Sequence, residues 1–421
     1  MTHPRRWTLV AAASVVVLTA AGLALWVLVP DDEQLARRVE AEFETRLGQK
    51  LVVGAVHWRW LGLPRVEVLD VQTVQPESIR VRRIAIYPEL LPLVRQRLVI
   101  NRLEVDGAVV PRSALAAYRD KAQEGMGAVV LSAVAFTDTT YIDHSGVPVV
   151  YEGAIEFDDD RLPRRVQVRR PDAKQVTSLE ATRDGKTDGG ADLYQLRLEG
   201  GGGSARGQAR LARSADGGLA LTGELAPRGV EVQSLLGAFE RRSPISGVAS
   251  GDTELRAEGD TLQALVRSLH TRSVLTVERA KVLRFNLEVA IKSVGQDRTG
   301  ETPLDRLSAV VDTQNTGQGM RTVFTQVKAA SGNYTATGQA TLYRRQIDAQ
   351  GRLEVGGGLV EVPFSLRGPS QEPAFSIAWE VLAGAAIGTA VLPGIGTVLG
   401  AKIGGVVGGP PKPSPTDRVR R

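Results

Sequence analysis

The chain contains no cysteine in its 421 residues, which excludes disulfide bonds, thiol catalysis, iron–sulfur clusters and cysteine-ligated zinc. Histidine is nearly as scarce, since only four occur and none lies within a helical turn of another. That spacing gives no indication of a metal site built from several histidines. Aromatic residues make up only 5% of the chain, and 45 residues are glycine. This balance is typical of many short strands joined by turns.

Catalytic and nucleotide-binding patterns are also lacking. No serine stands in a G-x-S-x-G sequence, and the glycines of 200–203 are not followed by the Gly-Lys-Ser/Thr of a phosphate loop. The Asp158-Asp159-Asp160 run lacks the spacing of a calcium loop and is better explained as a solvated turn. Lysine and arginine number 52 against 47 acidic residues, without interleaved aromatics, which disfavours nucleic-acid binding. We therefore predict no catalytic residue, metal or cofactor.

A long uncharged run lies near the N-terminus, from Trp7 to Val29. At 1.5 Å per residue this run spans about 34 Å, enough to cross the core of a bilayer. A cleaved signal peptide is the alternative, but its apolar region is usually shorter and ends in small residues. The sequence therefore predicts a transmembrane anchor within residues 1–30, with a short cytoplasmic N-terminus. The residues assigned to this anchor are Trp7, Leu18, Leu25 and Trp26.

The rest of the chain reads as a helix followed by many strands. Apolar residues four apart predict a helix over Asp32–Leu47, and from about residue 147 the apolar period becomes two. Helices predicted over Val230–Arg241 and Asp260–Leu269 are too short to cover the dry face of such a sheet. A second sheet, the sheet folding on itself, or a ligand must cover it. The residues singled out on this dry face are Val149, Tyr151, Ile155, Phe157, Tyr334, Ala336, Leu342, Ile347, Leu353 and Val355.

Two stretches of the chain follow a recognisable order of motifs. The first is the anchor with LGQKLVVGAVHWRWLGLPRVEVLDVQ and ESIRVRRIAIYPELLPLVRQRLVINRLEVDGAVV; the second is Pro244–Ile291. Together they resemble the AsmA family of envelope proteins, which are anchored in the inner membrane of Gram-negative bacteria. The pieces TPLDRLSAVVDTQ and SLRGPSQEPAFSI follow in the family order. The sequence departs from the family pattern at His270-Thr271 and Arg279-Ala280, where glycines are expected.

The resemblance implies a periplasmic protein whose elongated antiparallel sheet is bent into a groove that carries phospholipid for outer-membrane biogenesis. The ten dry-face residues are then the candidate lining of the groove, phospholipid is the ligand, and the inner membrane holds the anchor. The alternative is a non-enzymatic assembly or scaffold factor for outer-membrane proteins. An enzyme acting on envelope glycans or lipids is disfavoured, because no acid–base or nucleophile group is found.

A glycine-rich segment changes the character of the chain at residues 378–409. Glycines four apart form a small-xxx-small ridge that lets apolar helices approach closely in lipid, and Pro393-Gly394 suggests a bend between two arms. We predict a helical hairpin that contacts a membrane or another subunit; a flexible tail covering the end of the sheet is the alternative. The glycines of this ridge are Gly396, Gly400, Gly404 and Gly408.

The expected fold is therefore mainly β with a few short helices (α+β). It has an N-terminal transmembrane helix and a C-terminal glycine-rich helical hairpin. The expected segments are the anchor (1–30), an N-terminal helix and sheet module (31–125), a middle β segment (126–228), a C-terminal β-rich module (229–377), the glycine-rich segment (378–409) and a disordered tail (410–421).

Overall fold

The structure is a computed structural model, and it describes residues 32–59, 63–89, 98–115, 129–143, 146–214, 217–316, 319–358, 360–370 and 373–384. The described chain is mainly β, mostly antiparallel, with a few short helices. The predicted fold class is confirmed to that extent. The predicted transmembrane helix and glycine-rich hairpin lie outside the described residues.

The first eleven strands are β1 (Leu51–Arg59), β2 (Arg65–Thr73), β3 (Arg80–Pro88), β4 (Leu98–Pro111), β5 (Val129–Leu131), β6 (Ala133–Ile142), β7 (Pro148–Phe157), β8 (Pro163–Arg169), β9 (Ser178–Lys186), β10 (Asp192–Gly200) and β11 (Gly203–Arg213). The remaining strands are β12 (Leu219–Arg228), β13 (Val230–Glu231), β14 (Ile245–Gly259), β15 (His270–Val282), β16 (Thr302–Pro303), β17 (Arg306–Thr316), β18 (Gly319–Ser331), β19 (Tyr334–Tyr343), β20 (Gln346–Val355), β21 (Val360–Pro369) and β22 (Ala374–Ile377).

The described helices are α1 (Asp32–Leu47), α2 (Val232–Gly237), α3 (Leu262–Arg267) and α4 (Leu287–Lys292). A last helical turn covers residues 379–384. The chain divides into two compact units. Unit one holds residues up to Leu225 with 238–240 and 255–269, and unit two holds the rest.

Unit one begins with α1, whose apolar stripe packs on β1. Val39 and Phe43 are each only 2% exposed, four residues apart on one helical face. Strands β1 to β4 form an antiparallel meander. The chain then crosses over, because β4 runs parallel to β5 and β6. Strands β6 to β11 continue antiparallel.

Helix α3 covers part of the apolar face at the end of unit one. Leu265 packs with buried residues of the β-strands, among them Tyr194 and Leu211. The helix begins where the Thr261 hydroxyl accepts a hydrogen bond from the N–H of Ala264 at 3.1 Å. The N-cap is therefore Thr261, one residue after the Asp260 that the capping-box pattern indicates.

Charged side chains pair along the solvent face of β1 to β4. Glu67 is only 8% exposed and accepts from Arg65 at 2.8 Å and from Arg59 at 3.3 Å. The hydrogen bond from Arg65 holds the pKa of Glu67 below its ordinary value, against the opposing effect of burial. Neighbouring arginines and carboxylates thus neutralise one another on the wet face of the sheet.

Unit two is built mainly on an antiparallel run of strands from β15 through β17, β18, β19, β20 and β21 to β22. A bulge interrupts the β18–β19 ladder between Phe324 and Val327, where Gln326 has a positive φ of 50°. Without the bulge, Phe324 and Val327, which are three positions apart, would point to opposite faces of the sheet. With it, both pair with residues of the same face of β19.

The sequence predicts some of the helices correctly and misses others. The bounds predicted for α1 are those observed, but the helix expected over Val230–Arg241 is limited to Val232–Gly237. Helix α4 was not predicted at all. Six-residue helices contain too few turns for the 3.6-residue period to stand out from strand alternation.

The packing of α1 leads to the first prediction. Replacing Phe43 with alanine should lower the free energy of unfolding by about 3–5 kcal/mol, because a buried aromatic ring leaves a cavity. Urea denaturation of the full chain in a mild detergent measures the change. Glu44→Ala, at the next and exposed position of the same helix, is the matched control and should be nearly neutral. Equal losses in the two variants would show that α1 does not pack through Phe43.

Candidate functional site on the apolar face of the sheet

The apolar face of unit two is clearest on β20. Ile347, Ala349 and Gly351 are half-buried and Leu353 and Val355 are buried, while the intervening residues 348, 350 and 352 are exposed. Successive side chains of a strand point to opposite faces, so one face of β20 is apolar and sheltered and the other is solvated. The two faces predicted for this strand are those observed.

The strand register joins these residues to neighbours of the same kind. Leu342 lies opposite Ile347, and Ala340 lies opposite Ala349. Phe324 of β18 pairs with Ala340, and Leu366 of β21 pairs with Ala349. Directly opposite side chains have Cβ atoms about 5 Å apart, so the six form one contiguous surface. We call these six half-buried residues the apolar patch: Phe324, Ala340, Leu342, Ile347, Ala349 and Leu366.

One end of the same face is covered by the chain itself. Helix α4 and the last helical turn bring Ala290, Ile291, Trp379 and Leu382 into a buried cluster with strand residues. Phe375 is the centre of its ring contacts, with centroid distances of 5.7 Å to Phe285, 5.9 Å to Phe364 and 5.7 Å to Trp379. We call this group the Trp379 cluster.

Four of the residues predicted to line a groove belong to this covered end. Leu353 and Val355 are 6% and 2% exposed within the Trp379 cluster, and Tyr334 and Ala336 pack against it. They are core residues instead of lining residues, because α4 and the last helical turn fill the space above them. Leu342 and Ile347 lie outside the cluster and are only half-buried.

Gly351 lies at the border between the covered end and the apolar patch. A Cβ atom at this position would lie 2.6 Å from the ring of Phe364 and 2.4 Å from the carbonyl oxygen of Thr337. The missing side chain therefore lets the Phe364 ring rest on the strand. A larger residue at Gly351 would push that ring away from the Trp379 cluster.

Buried hydroxyl groups adjoin the apolar patch on the side of β15 and β17. Thr271 and Thr313 share a hydrogen bond of 2.5 Å, and Thr253 and Ser273 share one of 2.9 Å. Thr322 of β18 stands between Thr313 and Leu342 in the register. The apolar surface thus gives way to a row of mutually satisfied polar groups on this side.

The candidate residues of unit one are more deeply buried. Val149, Tyr151 and Ile155 are 1%, 0% and 3% exposed, so they form part of the core and do not line an open surface. The Arg170 guanidinium lies 5.8 Å from the centre of the Tyr151 ring and 5.7 Å from that of Phe239. Phe157 is half-buried and lines a shallow pocket beside the 158–160 turn.

An arginine occupies the centre of this acidic turn. Arg183 contacts Asp158 at 2.9 Å, Asp160 at 2.6 Å and Asp192 at 2.5 Å. The hydrogen bond from Arg183 lowers the pKa of Asp160, and the carboxylates raise the pKa of Arg183. The turn is an internal ion-pair network. The described residues hold no group of three or more side chains arranged to bind a metal ion.

The remaining candidate residues lie outside the described part of the chain. They are the anchor residues Trp7, Leu18, Leu25 and Trp26 and the glycines Gly396, Gly400, Gly404 and Gly408. Within the described ranges, no helix has both the length and the apolar character that crossing a bilayer requires.

The residues that sequence reasoning missed are those of α4 and the Trp379 cluster. One local signal could have located α4: the Asn286 side chain accepts a hydrogen bond from the Val289 N–H at 3.0 Å, as an N-cap residue does. The gathering of Phe285, Phe375 and Trp379 had no such signal. Phe285 is far in sequence from Phe375 and Trp379, and only the strand order brings it to them.

Comparison of the chain with family models, with curated proteins and with solved structures finds no match.

The division of β20 into a covered and a half-buried part can be tested. Leu353→Ala should lower the free energy of unfolding by about 2–5 kcal/mol, because it opens a cavity in the Trp379 cluster. Ile347→Ala, on the same face, should cost less than half as much because its side chain is only half-buried. Urea denaturation of the full chain compares the two. Equal losses of unfolding free energy in the two variants would contradict the division of β20 into a covered and a half-buried part.

The Arg183 network should make stability fall in acid. The pKa of Asp160 is lowered in the folded chain, so the ionised carboxylate stabilises the fold above the unfolded pKa of about 4. That contribution is lost as the pH falls through the lower folded pKa. Asp160→Asn should therefore lose less stability than the wild type between pH 7 and pH 3 in urea denaturation.

The control for this experiment is Asp159→Asn. Asp159 is exposed, and within the described residues it is not one of the carboxylates that contact Arg183. This variant should keep the acid sensitivity of the wild type. If both variants lose stability in acid as the wild type does, Asp160 does not contribute through Arg183.

Proposed function

We propose that this chain is an AsmA-like protein of the cell envelope, anchored in the inner membrane with its bulk in the periplasm. It binds phospholipid on an apolar sheet face and helps to move it for outer-membrane biogenesis. The observation that carries the proposal is the apolar patch: six apolar side chains on four adjacent strands, half-buried and outside the Trp379 cluster. The sequence resemblance supports the family and the location.

Such a patch would act only by sheltering the apolar part of a lipid from water. Each CH₂ group kept out of water is worth about 0.8 kcal/mol, so a lipid tail leaving a bilayer requires an apolar surface to lie on. Leu342, Ile347 and Leu366 offer aliphatic surface of this kind, and Phe324 adds a ring. No proton transfer or covalent step is involved.

The Trp379 cluster limits where a tail can lie within unit two. The face is occupied by protein side chains from Leu353 onward, so a tail on β20 has the length from Ile347 to about Gly351. At 3.3 Å per residue this is about 13 Å along the strand. A longer tail must therefore run across the strands, over the six residues of the apolar patch.

One contact at the edge of β1 favours lipid binding over the assembly-factor alternative, in which an unfolded strand would pair with that edge. Among the described strands, β1 pairs only with β2, and the N–H of Val53 donates instead to the Glu40 carboxylate of α1 at 2.8 Å. A donor that an added strand would need is thus already satisfied. This contact weakens the assembly-factor alternative at that edge.

The proposal is tested by placing one carboxylate on either face of β20. Ile347→Asp should reduce co-purifying phospholipid about tenfold, because a charge on the apolar patch loses hydration when a tail covers it. Lipid is extracted from the purified full chain and quantified by mass spectrometry.

Gln350→Asp adds the same charge to the exposed face of the same strand and is the matched control. It should leave the lipid content unchanged. A wild-type chain without bound phospholipid, or equal losses in the two variants, would contradict a lipid-binding patch.

A further inference from the structure

The described part of the chain ends on the apolar face of unit two. After β22 the backbone forms the last helical turn, in which Trp379 and Leu382 are 8% and 0% exposed within the Trp379 cluster. Ala383 packs against the same cluster, and Gly384 is half-buried. The residues that follow Gly384 therefore start from the face that carries the apolar patch, at its covered end.

The Trp379 cluster and the apolar patch are continuous. Phe375 of the cluster lies opposite Leu366 of the patch in the β21–β22 register, which puts their Cβ atoms about 5 Å apart. Along β20, six positions separate Val355 of the cluster from Ala349 of the patch, or about 20 Å at 3.3 Å per residue. About seven extended residues span that distance. A segment that begins after Gly384 can therefore reach the patch and still have most of its length to lie on it.

The segment that follows, 385–409, is itself apolar. Lys402 is its only charged residue, and its large side chains include Ile387, Leu392 and Ile395. An apolar segment of this kind is unfavourable in water, as the uncovered patch is. The two surfaces share the same requirement for an apolar partner.

A bilayer is a poor match for this segment. Pro393-Gly394 divides it into two arms, 385–392 and 395–409. Even if fully helical, at 1.5 Å per residue, the arms would extend only about 12 Å and 22 Å, less than the bilayer core of about 30 Å. Lys402 lies within the second arm. Neither arm is suited to crossing a membrane by itself.

The shape of the apolar patch suits a segment rich in small residues. Phe324, Ala340, Ala349 and Leu366 follow one another across β18 to β21 in the strand register. This row has two alanines at its centre and a larger side chain at each end, so it forms a shallow depression. The segment 385–409 has a glycine at every fourth position of its second arm, which lets its backbone approach such a floor closely.

Tethering favours this segment over an occupant in free solution. Because Gly384 is held in the fold, the residues beyond it stay near the patch at an effective concentration on the order of millimolar. A second copy of the chain, or an apolar peptide from another protein, has to bind from a far more dilute solution. The segment of the same chain is therefore the favoured occupant.

We propose that the segment 385–409 covers the apolar patch of its own chain when no lipid is bound, and that phospholipid competes with it for this surface. The competition rests on the proposed function, whereas the covering stands without it. The segment shields the patch from water and from other chains until an acyl tail takes its place.

The covering is tested with a photo-crosslinker on either face of β20. The chain has no cysteine, so Ile347→Cys supplies the only thiol, which is labelled with benzophenone maleimide in the lipid-free full chain held in amphipol. Illumination should crosslink this position to residues 385–409, as mapped by mass spectrometry. Leu366→Cys, at another border of the patch, should give the same result. Gln350→Cys, on the exposed face of β20, is the matched control and should give no such crosslink.

The competition is tested by adding phosphatidylcholine to the labelled chain. The crosslink to 385–409 should fall about tenfold when the free lipid is at about ten times its apparent Kd, as simple competition requires. Val398→Asp with Leu399→Asp should remove the crosslink, because the two charges would lose hydration on the patch. The same variant, unlabelled, should bind tail-labelled fluorescent phosphatidylcholine about tenfold more tightly, because the patch is no longer covered.

Ser414→Asp with Thr416→Asp is the charge-matched control for this variant. It adds the same two charges to the chain beyond the segment 385–409. Both the crosslink and the affinity for phosphatidylcholine should stay as in the chain without these charges.

The outcomes separate the two proposals. Crosslinks to 385–409 that phosphatidylcholine does not reduce would overturn the proposed function and the competition, but not the covering. Lipid binding without a crosslink from either patch position, or equal crosslinking from the Gln350→Cys control, would overturn the covering alone. Crosslinks between chains in a mixture of isotope-labelled and unlabelled protein would assign the patch to a second copy and would also overturn it. Neither a crosslink nor lipid binding would overturn both.

Discussion

The constraint on which this structure depends is that an antiparallel sheet with one apolar face must keep that face from water. In unit one α1 and α3 cover parts of it. In unit two α4 and the last helical turn cover one end through the Trp379 cluster. The apolar patch is what remains when these short helices have been placed. A surface of this kind is unfavourable in water unless something apolar binds to it, which is the physical basis of the proposed function.

Charge is distributed by a second rule, that most arginines of the described sheet face a carboxylate. Glu67 receives two arginines on the wet face of unit one, and Arg183 contacts two aspartates of the β7–β8 turn and Asp192 of β10. Such pairs keep the wet face soluble and add little stability individually when exposed.

Sequence reasoning was most accurate where the signal is local. The helix over Asp32–Leu47 was predicted to its ends, and the alternation of β20 indicated the correct faces. It was least accurate for short helices: α3 begins after Thr261 instead of Asp260, and α4 was missed. Of the dry-face residues, Leu353 and Val355 proved to be core because α4, distant in sequence, lies over them. Nothing in the strand pattern distinguishes an apolar residue covered by protein from one left for a ligand.

The sequence by itself determined the β-rich fold class, the alternation of wet and dry faces, and the absence of cysteine chemistry. These follow from residue type and from a period of two, which are properties of neighbouring positions. Tertiary structure alone decided which part of the dry face is covered, because the covering side chains come from distant segments brought together by strand order. It also decided that Phe324 stands opposite Ala340 and Leu366 opposite Ala349 in one apolar surface, since the strand register sets that neighbourhood.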